Sequence, residues 1–328
     1  NKQTENKIMA NNLSLPSVES YRPEFEDRYD VEFQQVRSRS IGLCDQVAVN
    51  GEYREFPLAN KTDSISAITD LYGETSPDVA TFGKRRVTTS PYKSPLIFDR
   101  VTEKKFGTGE SQIPVSIANQ KAEAARHMDK IIVGEAGKNG GLLGNAIEVA
   151  ANGVVSYPAF DSTYTIPVNY DFAGGAAGAD KGMSYDKLMK LRTELSKLDV
   201  MSQDGSTNNP SPFGLILSSD QVLQLLQDEK IRNRDQASAQ LEQVASGILT
   251  DCMGFTMSVD DNNLPEAAGI KTCVAFHKGS VKFGYNEMPV HELDRLPTKN
   301  HSVQSVFYWD WGFSRIWDKG VWKVPCIG

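Results

Sequence analysis

The stretch that comes nearest to a chemical motif is Ile131-Ile132-Val133-Gly134-Glu135-Ala136-Gly137-Lys138-Asn139. A phosphate-binding loop needs a Gly ahead of its Gly-Lys pair, with four residues between, and a Ser or Thr after the Lys to hold magnesium. Ile132 stands at the first of these positions and Asn139 at the last, and the preceding residues have helical rather than strand spacing. The stretch therefore reads as a loop that ends a helix. His127, His277, His291 and His301 stand singly, with no HExxH or HxH spacing for a metal. His291 and Glu292 are adjacent, which points the two side chains apart in a strand. Asp260-Asp261-Asn262-Asn263 has the look of a calcium loop, but Leu264 falls where the fifth-position oxygen ligand belongs and Pro265 follows. It reads as an Asn/Asp-rich turn between strands. There is no Gly-x-Ser-x-Gly elbow. Arg232 and Arg234 are flanked by Asp228, Glu229 and Asp235, which makes a charged surface rather than a phosphate patch. Phe307, Trp309, Trp311 and Phe313 alternate along one strand face, as in a strand that covers a core rather than a stacking platform. No set of residues assembles into a catalytic constellation, and no cofactor or metal is expected.

The bulk properties narrow the class. The 328 residues carry 42 acidic against 35 basic side chains, a formal charge of −7, with 39% hydrophobic residues. Such a chain supports a core, and its length is a soft prior for about two domains. The acidic balance argues against a protein that grips nucleic-acid phosphates along an exposed surface. No run approaches the roughly 20 apolar residues of a membrane span, and no signal-peptide pattern opens the sequence. Cys44, Cys252, Cys273 and Cys326 include no CxxC pair and read as free thiols of a reducing compartment. The sequons at Asn12, Asn60 and Asn300 carry no weight without a secretory signal.

The elements that would position any site follow from periodicity. Asn1 to Ser20 is a polar arm, and Phe25, Tyr29, Phe33 and Val36 suggest a short helix after Pro23. Val47 and Val49, Asn50-Gly51, then Tyr53 and Phe56 form a hairpin signal with a type I′ turn. From Leu58 to about Gln112 no periodicity holds, and Arg85-Arg86 and Lys104-Lys105 are expected as exposed basic pairs. A segment this long without regular structure is unusual inside a compact domain, so it reads as an extended excursion completed by neighbouring molecules. A helix is predicted over about 116–134. Its apolar stripe holds Ile117, Ala124, Met128 and Ile131 beside Ala118, Ala125 and Ile132, with Asn119, Gln120, Glu123, Arg126, His127 and Lys130 opposite. Strands are expected near Val154–Tyr157 and Thr165–Val168. Leu188, Leu191, Leu195 and Leu198 mark a helix after Ser184, Phe213–Leu217 a buried strand, and Ser219-Asp220 the start of another helix. A helix over about Gln236–Ala245 and strands at Phe255–Val259, Thr272–His277, Val281–Tyr285, Ser302–Trp317 and Val321–Val324 complete the chain.

This order of elements resembles the major capsid protein of tailed double-stranded DNA bacteriophages, with the Hong Kong 97-like fold. The resemblance is carried by Arg86-Val-Thr-Thr-Ser-Pro-Tyr-Lys-Ser-Pro-Leu-Ile-Phe-Asp99 and by the helix Ala122-x-x-Ala125-Arg126-x-x-Asp129-x-Ile131-Ile132. Ala275-Phe276-His277-Lys278-Gly279-Ser280-Val281 and the closing Trp311-Gly-Phe-Ser-Arg315-Ile-Trp-Asp-Lys-Gly-Val-Trp-Lys-Val add to it. It implies an α+β chain with an N-terminal arm (1–42), an extended β-hairpin loop (43–99), and a peripheral domain (100–180 and 291–328) with a spine helix near 116–136. An axial α/β domain (181–290) completes that layout. It also implies self-assembly into pentamers and hexamers of an icosahedral shell that encloses the genome without sequence-specific binding. The virion capsid is the expected location, with assembly in the bacterial host cytoplasm. Portal, scaffold and decoration proteins are implied partners, and neither enzymatic activity nor a membrane is. Covalently crosslinked members join a loop lysine to a neighbour's asparagine, and no such pair is matched here. Two alternatives stay open: a nanocompartment shell protein of the same fold, and an α/β enzyme that takes an anionic ligand at the Gly134–Gly144 loop. Arg85, Arg86, Lys104 and Lys105 are the expected inter-subunit contacts, facing acidic patches on an adjacent subunit. Reversing the charge of Arg85 and Arg86 together is expected to impair assembly, scored by electron microscopy, and normal shells from that double variant would refute the assignment.

Overall fold

In the computed structural model the described residues are 34–59, 82–98, 112–150, 152–171, 178–197, 213–232, 251–299 and 301–328. The polar arm, Phe25, Tyr29 and Phe33 of the helix expected after Pro23, Lys104-Lys105 and the helix expected at Gln236–Ala245 lie outside them, and Val36 is not helical. The longest strand pair organises one half of the molecule. Strands β12 (Val281–Leu296) and β13 (Ser302–Arg315) run antiparallel, and β13 is flanked on its other edge by β4 (Ser90–Phe98). β1 (Asp45–Ala48) adds to β12 in parallel, which gives the order β1-β12-β13-β4. Helix α1 (Gln112–Val133) lies on this sheet.

A second sheet holds β7 (Phe213–Leu217), β8 (Asp251–Cys252), β9 (Phe255–Val259), β10 (Glu266–Ala267), β11 (Ile270–His277) and β14 (Val321–Ile327). Its order is β10-β11-β7-β9-β8, with β14 also on β11. All five β7 residues are buried, as its unbroken apolar run requires. α2 (Tyr185–Lys197) turns Leu188, Leu191 and Leu195 into the core. α3 (Ser219–Gln227) starts at a capping box between Ser218 and Gln221, one residue before the expected start, and α4 (Glu229–Arg232) follows. A third sheet joins β2 (Tyr53–Ala59), β3 (Phe82–Thr88), β5 (Glu148–Val149) and β6 (Val155–Ser156).

Three expectations need correction. Asn50-Gly51 does turn the chain, with Gly51 at φ +105°, but no hairpin forms. β1 pairs with β12 while β2 pairs with β3, so the two flanks of the turn belong to different sheets. Tertiary pairing overrides the local signal because Val49 is buried against the first sheet, which fixes β1 there. The loose region from Leu58 also contains regular structure. β2 and β3 make a seven-residue antiparallel ribbon (Tyr53↔Thr88 to Ala59↔Phe82), and β4 pairs with β13 along nine residues. Most of the ribbon buries no face, so its sequence has no alternation to detect. Finally, α1 is buried on two sides. Gln120 and Asp129, at 1% and 0% exposure, sit inside because the helix is enclosed by the sheet on one side and residues 35–44 on the other. Among the described residues no helix is long and apolar enough to cross a membrane.

The root of the ribbon is held by a glycine notch. Gly284 and Gly312 are register partners on β12 and β13. A Cβ on Gly284 would come within 2.7 Å of Val87 Cγ1 and 2.9 Å of Val49 Cγ2, and one on Gly312 would overlap the Thr88 carbonyl oxygen. Only the missing side chains let the chain cross the sheet face here. Gly312→Ala is expected to destabilise the fold by roughly 1–3 kcal/mol or more, because the clash is with backbone that has no room to yield. Gly83→Ala, where a Cβ meets open space, should change stability by less than about 0.5 kcal/mol. Denaturant unfolding of the two variants side by side tests the contrast.

Candidate functional site

The tempting motifs resolve into scaffolding. After α1 ends, the Gly-rich stretch folds onto the helix and the sheet. The N–H groups of Gly134, Gly140, Gly141, Leu142 and Leu143 donate to the carbonyls of Lys130, Asn145, Phe313, Ile132 and Val133. These five donors are spent inside the chain and are not offered to a phosphate. A cleft of about 430 Å³ beside it is lined by Ser90, Tyr92, His127, Lys130, Glu135 and Lys138 among others. In the Asp260 turn, Oδ1 accepts the N–H groups of Asn262 and Asn263 at 3.2 Å and Oδ2 accepts the Asn263 amide at 2.8 Å. Asp261 caps the start of α3 through Ser219. These carboxylates form the expected turn. Among the described residues no group of three His, Cys, Asp or Glu side chains could hold a metal ion. Trp309, Trp311, Phe307 and Phe313 are buried on the sheet, as their alternation requires.

The two arginines of the ribbon are half-buried rather than exposed. Arg85 Nη2 donates to Asp318 at 2.8 Å and lies 3.6 Å from Glu148. Arg86 Nη2 donates to Glu55 at 2.8 Å and stacks over Tyr53 at 3.8 Å. Arg86 holds the Glu55 carboxyl below its ordinary range, with help from Lys84. Asp318 also accepts from Nε of the fully buried Arg315 at 3.2 Å, so one carboxylate ties the ribbon to the end of β13.

Two buried polar residues of α1, missed on the helical wheel, do the remaining positioning. Asp129 accepts from Gln35, from Ser38 Oγ at 2.5 Å, and from the backbone N–H of Arg39 (3.1 Å) and Ser40 (3.2 Å). It thereby docks the chain entering the fold. Gln120 donates to Ser94 O at 2.7 Å and accepts from Ser305 Oγ at 2.7 Å, which joins β4 to β13 from above. The available signal was Asp129 itself, a carboxylate in line with Ala122, Ala125 and Ile132 at helical spacing.

What is left uncovered is apolar surface. Phe82, at the start of β3, is 74% exposed. At the far end of the first sheet, Val290 pairs with Tyr308 and Gln304 with Ile97. Val290, Tyr308 and Ile97 are exposed on the face away from α1. An extended ribbon and a bare sheet face are what a protein presents when copies of itself complete it.

The comparisons agree. The family model for the phage capsid protein matches residues 20–328, so the chain belongs to the phage capsid protein family. Membership makes it a shell-forming, self-associating component of the virion capsid. Among solved structures, the cyanophage Pam1 capsid is similar at 12% identity, covering 96% of this chain and 98% of that one, with a TM-score of 0.67. The capsid of Ralstonia phage GP4 is similar at 11% identity, covering 96% and 97%, with a TM-score of 0.66. The Mycobacterium phage Che8 structure matches at 12% identity, covering 93% and 97%, with a TM-score of 0.59. At these identities the likeness is one of fold, and the fold is the Hong Kong 97-like one. No curated protein sequence matches the chain.

His127 gives this region a pH dependence. Its Nδ1 accepts the Trp309 indole N–H at 3.2 Å, which requires an unprotonated Nδ1. Burial, then Lys130, holds the ring below the ordinary histidine range, with Glu123 opposing. The unfolded chain takes up this proton near pH 6.5 and the folded one only at lower pH, so stability falls as pH drops through that window. Burial depresses His277 with the same sign. Denaturant stability should be flat above about pH 7 and decline below about 6.5. His127→Phe should flatten that slope, and an unchanged slope would mean that His127 protonates freely in the fold.

Proposed function

We propose that this coat protein assembles as pentamers and hexamers into an icosahedral shell around a double-stranded DNA genome, without enzymatic activity of its own. The reading rests on family membership together with the ribbon, whose exposed Phe82 and largely uncovered faces have no partner surface within the described chain. The domain layout proposed for it keeps the arm at 1–42, the extended loop at 43–99, the peripheral domain at 100–180 and 291–328, and the axial domain at 181–290. Within that layout the ribbon's strands are Tyr53–Ala59 and Phe82–Thr88, β4 belongs to the sheet of β12 and β13, and β14 joins the sheet of β7 and β11. Lys104 and Lys105 meet acidic groups of adjacent subunits. Arg85 and Arg86, already neutralised in the chain, contribute by fixing the ribbon that reaches them. Portal, scaffold and decoration proteins complete the particle, and assembly takes place in the bacterial host cytoplasm.

Purified protein examined by electron microscopy should show closed shells or capsomers, and size exclusion should place it as capsomers or as megadalton shells. DNA within shells from infected cells, rather than protein cargo, separates this reading from a protein-filled compartment. A uniform small oligomer with no shells under any condition would overturn it.

A further inference from the structure

Asn-Gly pairs occur at Asn50-Gly51, Asn139-Gly140 and Asn152-Gly153. In such a pair the glycine nitrogen can attack the preceding side-chain amide, because no Cβ crowds the approach. The attack needs a free nitrogen and room to reach the amide carbon, and the fold supplies these unequally. The Gly140 N–H donates to the Asn145 carbonyl at 2.9 Å, and a Cβ on Gly140 would come within 2.7 Å of the Phe313 carbonyl oxygen. That nitrogen is engaged and its surroundings are filled. The Gly153 N–H donates to the Ala150 carbonyl at 2.9 Å, and Asn152 Oδ1 accepts the Val154 N–H at 3.1 Å. Both reacting groups are held in a turn there.

Asn50-Gly51 is different. Both residues are exposed, and a Cβ on Gly51 would meet nothing within 4 Å. The chain is anchored on each side of them. The Val49 N–H donates to the Tyr285 carbonyl at 2.8 Å, and the Glu52 carbonyl accepts the Thr89 N–H at 3.0 Å. Between these anchors neither the Asn50 side-chain amide nor the Gly51 N–H has a hydrogen-bond partner among the described residues. The nucleophile and the carbon it attacks are therefore free, adjacent and open to water.

We propose that Asn50 is a self-modification site, where the turn converts through a succinimide to aspartate and isoaspartate well before Asn139 or Asn152 reacts. The Gly51 nitrogen gives up its proton and bonds to Asn50 Cγ. The Cγ–Nδ2 bond breaks, and Nδ2 leaves with a proton as ammonia. Water then opens the ring, its hydroxyl adding to one carbonyl carbon and its proton returning to the Gly51 nitrogen. Opening at Cγ gives aspartate. Opening at the backbone carbonyl gives isoaspartate, with the chain running through the Asn50 β-carbon. No electrons are transferred, and water is the only co-reactant. Either product adds a negative charge, and isoaspartate also lengthens the main chain by a carbon. The change falls next to Val49, which seats against Gly284 in the notch, so it alters the root of the ribbon with time.

The test holds the full-length protein, in its native assembly, at mildly alkaline pH and maps its peptides by mass spectrometry over time. Labelling with an isoaspartate methyltransferase counts the β-linked product. The Asn50 peptide should convert first, with Asn139 and Asn152 slower by on the order of tenfold, the effect of holding an N–H in a hydrogen bond. In denaturant that lead should disappear, because all three pairs are then equally free. Asn50→Ser, an exposed change that leaves the fold intact, should remove the fast phase of methyl labelling and keep the slow one. Asn139 or Asn152 converting as fast as Asn50 in the assembly, or Asn50 leading by the same margin in denaturant, would overturn the proposal. So would a fast phase that survives Asn50→Ser.

Discussion

The fold depends on a place where two strands do without side chains. At the Gly284–Gly312 pair the first sheet has a notch, and Val49, Val87 and the Thr88–Thr89 backbone seat in it. The chain can then leave the sheet as a ribbon through β2 and β3 and return as β4, paired with the same strand it has just crossed. Any side chain at Gly312 would push the crossing backbone off the sheet and take the root of the ribbon with it. An extension that works at a distance must be rigid where it starts, and close backbone packing supplies that rigidity without spending any exposed residue.

Around the notch, buried polar groups fix the elements that hydrophobic packing leaves free to slide. Asp318 binds Arg85 of the ribbon and Arg315 of β13, and Arg315 continues to the Leu142 carbonyl at 2.9 Å. Asp129 fixes the incoming chain to α1, and Gln120 fixes α1 to two strands. Buried charges of this kind are weak sources of net stability, but removing one partner leaves a costly orphan. They set registry between elements, which matters in a protein whose outer surfaces must meet neighbours at defined angles.

Much of this was legible in the sequence, and the exceptions share a cause. The aromatic strand, α2, the buried β7 and the Asp260 turn all bury one face or use local hydrogen bonds, so periodicity and turn chemistry describe them. The ribbon buries almost no face and β4 is mostly exposed, so β3 and β4 left no alternation. Asn50-Gly51 kept its turn but lost its hairpin, because Val49 is claimed by the first sheet and Tyr53 by the third. Gln120 looked like a surface residue because a wheel assumes that one side faces water, and Asp129 was placed on neither side.

The charge balance can now be divided by location. Many of the charges that can be followed are engaged within the chain: Arg85 with Asp318 and Glu148, Arg86 and Lys84 with Glu55, Lys271 with Asp220, and Lys190 and Lys197 with Glu194. Cations already neutralised by neighbours release few counterions on meeting a polyanion, so they contribute little phosphate affinity. With a net charge of −7 the remaining field is repulsive toward DNA. For the proposed cargo this is an advantage, because a lining that gripped phosphates would hinder packing and release. Phe82, Val290 and Tyr308 are left exposed, and the cohesion of apolar surface does not weaken with salt as charge pairing does.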